Sequence, residues 1–161
     1  MFSALIKTDS KDYTLLISRL VLGLVMLPHG LQKTLGLFGG HGFNDSINGL
    51  TSGGIPYIVA LLVILGESIG STLLVLGFLG RIWSFLTIST MIGAVMTVHL
   101  HNGFFMNWMG NQPGEGFEYH LLAIALGLVI LIKGCGALSI DSIIQRHHIV
   151  SNQQAPTVKV A

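Results

Sequence analysis

Four stretches of this chain, at about 13–35, 55–79, 82–100 and 119–133, are long, apolar and nearly free of charge. A bilayer core of roughly 30 Å needs about 20 mostly apolar residues per crossing helix. Lipid offers the backbone no hydrogen-bond partners, so such runs must satisfy themselves as helices. The pattern predicts an all-α fold, an integral membrane four-helix bundle. The fourth run is the shortest and extends to 137, which sets the spans at 13–35, 55–79, 82–100 and 119–137. Of the 161 residues 51% are hydrophobic and only 9% charged, against about 25% charged in soluble domains. Too few charges remain for a water-facing surface, so membrane lipid is the expected cover. A cleavable signal does not account for the first run, because Pro28, His29 and Gly30 follow Leu27 where a small-residue cleavage site would stand. The organisation expected is a transmembrane domain over 1–141 and a polar cytoplasmic tail over 142–161, its last ten residues disordered.

Lys and Arg in the short flanks set the orientation. With the N-terminus inside, the inner flanks hold Lys7, Lys11, Arg81, Lys133, Arg146 and Lys159, and the outer side holds Lys33. Both termini are therefore expected in the cytoplasm. In the first outer connection Phe43, Ile47 and Leu50 recur at helical spacing around Asn44, Asp45 and Asn48, which predicts a short amphipathic helix at the outer surface. The second, 101–118, mixes Phe104, Phe105, Trp108 and Phe117 with four glycines, and should pack as a lid. Trp83 and Trp108 stand at span ends, where an interfacial aromatic belt lies.

Several chemistries are excluded or disfavoured. A formal net charge of +1 without a basic patch gives no nucleic-acid partner. Cys135 is alone, so a self-contained dithiol cycle is impossible. No bound metal or nucleotide is expected, since His99, His101 and His120 match no compact ligand spacing and no nucleotide-binding glycine loop occurs.

Ionisable residues at membrane depth are costly, and each is a functional candidate. Here they are Arg19, His29, Lys33, Glu67, His99 and His120. Glu67 falls near the centre of the second span, where an ionised carboxylate needs a partner. Judged by depth, His29 sits roughly 6 Å outside the middle of the first span. Because Cα–Cβ bonds tilt toward a helix N-terminus, His29 and Glu67 lean together, while Arg19 leans away and can snorkel to the inner surface. Depth therefore predicts a Glu67–His29 pair. Pro28 should kink the first span beside it. Arg19, Gly23, Met26, Gly30 and Lys33 follow steps of four and three, and form one polar and small-residue stripe. Gly66 and Gly70 form a G-x-x-x-G pair that invites close helix packing.

Taken as a set, Arg19, Gly23, His29-Gly30, Lys33, Gly66-Glu67, Gly70, Gly77, Arg81 and the histidine His99 resemble the DoxX family of small four-helix bacterial membrane proteins. Gly103-Phe104-Phe105, Gly116-Phe117-Glu118-Tyr119-His120 and Leu138-Ser139-Ile140-Asp141 resemble the same group. The resemblance implies residence in the bacterial cytoplasmic (inner) membrane and a role as an oxidoreductase component. Its relatives are linked to quinol oxidation, thiosulfate–quinone chemistry and thiol-stress assemblies. The leading expectation is a membrane redox component that binds a quinone-like head group in the outer half-bundle. Glu67 and His29 are the expected catalytic pair, and Lys33, Arg19, Met26 and His99 the ligand-binding residues. Electrons would come through a partner redox protein, and a homo-oligomer is the other expected assembly. Two alternatives stand beside it: a non-catalytic scaffold for a partner complex, and a small proton-coupled transporter.

Overall fold

The computed structural model describes residues 2–154, with side chains through His148. The described residues are all-α, without strands. The helices are α1 (Phe2–Leu5), α2 (Tyr13–Leu35), α3 (Gly42–Ser52), α4 (Tyr57–Leu76), α5 (Gly80–Asn102), α6 (Glu118–Lys133) and α7 (Ile140–Gln154). By length and composition α2, α4 and α5 are each able to cross a membrane. At 16 residues α6 is shorter, about 24 Å of rise.

Local chemistry explains the ends. Asp12 caps α2 by accepting from the amides of Thr14 at 2.9 Å and Leu15 at 3.2 Å. A hydrogen bond from the Thr14 hydroxyl helps hold this carboxyl below its usual range. Pro28 lies inside α2, and the helix continues through it. At the end of α4, Gly77 N–H donates to Leu74 O and Phe78 N–H to Leu73 O, the paired closure that a left-handed residue permits. Two corrections to the sequence reading fall beyond α6. That helix stops at Lys133 rather than 137, because Gly134 takes φ +90° and leaves the helical region. The polar segment after Ser142 is helical as far as Gln154. Its start is fixed by Ser139, whose hydroxyl accepts from Ser142 N–H at 3.1 Å, and by Gln145, whose side chain accepts from Thr8 N–H at 2.8 Å. Helix thus occupies 152–154 of the last ten residues; the others, with Lys159, lie outside the described residues.

Helix α2 packs against both α4 and α6, and α5 packs against α6. Leu22, Met26, Leu74, Met91, Ala123 and Ile130 form the main core. Ile47, Ala60 and Ile64 form a second cluster that ties α3 to α4. The stripe on α2 is the packed face: Arg19, Gly23, Met26 and Gly30 are all buried. Polarity is inverted relative to a water-soluble fold. Glu67, Ser71, Ser84 and His120 are buried, while Ile17, Leu62, Phe85, Leu122 and Ile132 are exposed.

The G-x-x-x-G pair receives α5: a Cβ on Gly66 would meet Leu86, and one on Gly70 would come within 2.7 Å of the Trp83 ring. Trp83 therefore turns inward onto the core instead of joining an interfacial belt, and its buried Nε1 has no partner among the described residues. Trp108 remains 83% exposed.

Candidate functional site

The family-like residues separate into two clusters at opposite ends of the packed helices. The first is built on Arg19, which is 1% exposed. Its Nε donates to Cys135 O at 2.9 Å, and Nη2 donates to Ala137 O at 3.1 Å and Leu138 O at 2.8 Å. Nη1 donates to Leu74 O and Val75 O, carbonyls in the last turn of α4 that have few helical partners of their own. Nearby, Asp141 accepts from the amides of Leu79 at 2.9 Å and Gly80 at 3.4 Å, at the start of α5. Cys135 Sγ also donates to Asp141, at 3.1 Å. Burial and the Asp141 carboxylate push this thiol up to about 12.

Arg19 is thus neither a snorkelling anchor nor close to the other candidate residues. Its guanidinium reaches orphan carbonyls in the interior, which hold it there more firmly than surface water could. It joins the end of α4 to the turn that follows α6.

The second cluster centres on Glu67, 6% exposed, in a π turn at Gly66–Gly70 of α4. Its Oε2 accepts from Lys33 Nζ in an ion pair. Close helix approach makes this possible. A Cβ on Gly30 would lie 2.2 Å from the Glu67 carbonyl oxygen, so α2 touches the α4 backbone here and only glycine fits.

The Glu67–His29 pairing is corrected by this geometry. His29 is exposed and its nearest ring partner is Tyr119, at 6.5 Å between centroids. One residue before Gly30, it points about 100° away from the packed stripe, whereas Lys33 belongs to that stripe. Convergence in depth brought His29 level with Glu67 but did not turn it toward the carboxylate.

Tyr119 and His120, at the start of α6, complete the cluster. The Tyr119 hydroxyl donates to Met26 Sδ at 3.4 Å, which brings Met26 against this group. His120 is 6% exposed, its Nδ1 is buried without a hydrogen-bond partner, and its ring lies 4.2 Å from that of His99. A buried polar atom left unpaired in this way carries a desolvation cost. His99 Nδ1 is paired with Glu115 O at 2.8 Å. The 103–117 connection folds over this end. Phe117 N–H donates to Gly103 O, Glu118 N–H to Phe104 O, and Phe104 packs edge-on to Phe105 and Phe117. On the other side of Lys33 a cavity of about 390 Å³ lies beneath α3, lined by Gln32, Lys33, His41, Asp45, Ser46 and Leu50, among others. That volume falls within the range of small-molecule sites, about 300–1,000 Å³.

Sequence reasoning left Tyr119 out of the site, and named His120 as a membrane-depth candidate without giving it a ligand-binding role. Their signal was present in Phe117-Glu118-Tyr119-His120. Among the described residues no group of His, Cys, Asp and Glu has a metal-holding arrangement.

The DoxX family model matches residues 14–100, which takes in Arg19, Lys33, Glu67 and His99. The chain belongs to the DoxX family, and its apolar helices are those of a membrane protein. It is similar to a Bacillus subtilis (strain 168) protein named "Putative oxidoreductase CatD", 33% identical over 126 residues, covering 78% of this chain and 83% of that protein. No solved structure matches the chain.

Proposed function

We propose that the chain is a multi-pass component of a bacterial inner-membrane redox system, which binds a quinone-like head group at the Lys33 end. In this reading α2, α4, α5 and α6 form a membrane four-helix bundle with both termini in the cytoplasm, and α3 lies over the outer mouth. The single observation that carries the proposal is the ion pair between half-buried Lys33 and buried Glu67, beside Tyr119 and the cavity under α3. A quinone ring supplies two-electron, two-proton chemistry, and its carbonyl oxygens require hydrogen-bond donors. Lys33 is placed to donate to such an oxygen, and Glu67 to hold and pass a proton. The cavity beneath α3 adds Gln32, His41 and Ser46 as further polar contacts, with Leu50 as an apolar wall. In this reading the electrons come from a partner redox protein. The relative named as an oxidoreductase supports the reading.

Extraction in mild detergent followed by mass spectrometry of co-purified lipids tests it. A quinone bound near one per chain is expected. Its absence from folded wild-type protein, together with failure to bind added quinone, contradicts the proposal and leaves the scaffold reading. The orientation is tested separately by a reporter fused after Asn111, expected to behave as external.

A further inference from the structure

A second cavity, of about 370 Å³, lies at the opposite end, where the segment before α2 meets the start of α5 and the end of α6. Lys7, Arg81 and Lys133 line it together with Asp9, Gln145 and Ile132. Three cations thus share the cleft with one carboxylate. Among the described residues none of the three is in an ion pair; the pair that forms is Lys33–Glu67. The walls are fixed by hydrogen bonds. Arg81 donates to Leu5 O at 3.1 Å, Lys7 O at 2.5 Å and Ile132 O at 3.2 Å, joining the N-terminal segment to the end of α6. The Gln145 side chain, holding Thr8 N–H at 2.8 Å, secures the wall from α7. Ile132 opens beside the cations with 70% of its surface exposed.

We infer that this cleft binds a phosphate-bearing anion, which in the membrane is the head group of an anionic phospholipid whose acyl chains run past Ile132. Three cations against the Asp9 carboxylate in the cleft, with Asp12 acting on Lys133 from the start of α2, leave an excess of positive charge at the end of the membrane helices, which draws anionic head groups. A zwitterionic lipid brings no net charge to offset it, and a small hydrated anion leaves Ile132 uncovered. This inference needs only the membrane reading and is independent of any redox chemistry.

The test uses the full chain in phosphatidylcholine vesicles containing a minor fraction of phosphatidylglycerol, released into mild detergent for native mass spectrometry. Wild-type protein is expected to retain phosphatidylglycerol well above its share of the vesicle lipid. Lys7→Gln and Lys133→Gln remove charge without touching a side-chain hydrogen bond, and each should weaken retention about fivefold. The Lys7→Arg/Lys133→Arg protein should restore it. Retention that survives millimolar inorganic phosphate assigns the site to lipid, and displacement assigns it to a soluble phosphate compound. Lipid carried only in proportion to the vesicle, or unchanged in the folded double Gln variant, overturns the inference and leaves the membrane reading standing. Failure of the chain to insert overturns both.

Discussion

At one end of the packed helices Arg19 directs its guanidinium N–H groups to five backbone carbonyls, and Asp141 accepts from two amides and a thiol. At the other end Lys33, which lines an open cavity, meets a single carboxylate, and His120 keeps a buried nitrogen with no partner among the described residues. Both ends bury charge inside an apolar surround, which is costly unless every polar atom is satisfied. The Arg19 cluster satisfies them with fixed backbone, and the guanidinium keeps no N–H free for a ligand. The Lys33 end leaves valences open, and pairs groups that can exchange a proton. Burial of a charge alone therefore does not mark a functional site. The state of its partners does.

Removing the closed end should have the largest effect. Arg19→Leu strands five carbonyls from two segments at once, and the loss of folding stability should exceed about 4 kcal/mol. Arg19→Lys, with three donors, should recover part of it. Thermal unfolding in detergent reads both, and a wild-type melt for Arg19→Leu would erase the contrast between the ends. Next comes Gly30→Ala, which forces a methyl group against the Glu67 backbone. It should cost about 1–3 kcal/mol and reduce quinone binding together with stability, since α2 must move off the carboxylate it serves. The smallest effect belongs to Cys135→Ser. The hydroxyl can keep the hydrogen bond to Asp141, and a thiol held up near 12 is not a nucleophile at neutral pH. Stability should change by less than about 1 kcal/mol and quinone-linked turnover should not change; loss of turnover would show a mixed-disulfide step with a partner.

Much of this was legible from apolar runs and spacing. The three longest helices, the buried stripe from Arg19 to Lys33 and the burial of Glu67 follow from length, periodicity and the cost of charge in lipid. The partner of Glu67 did not follow, because depth along a helix and direction around it are separate coordinates. The stripe already held Lys33 and excluded His29, yet the depth argument was allowed to choose. The π turn at Gly66–Gly70 also departs from the regular helix assumed in placing Glu67. Arg19 was rightly kept apart from Glu67, but its true partners are carbonyls, which carry no residue-type signal. The stop after Lys133 was readable in Gly134 and Gly136. The apolar residues between and beyond them masked it.

The central claim is that Lys33 and Glu67 act as one ligand-binding unit. Binding of a short-chain quinone to folded, detergent-purified Glu67→Gln, Lys33→Met and double-variant proteins tests it most directly. Each single variant should bind at least about tenfold more weakly than wild type, and the double variant little worse than either, since one shared unit is broken in all three. Glu67→Gln should keep its fold within about 1 kcal/mol of wild type. Quinone affinity that is unchanged in the single variants, or losses that simply add in the double variant, would contradict the claim.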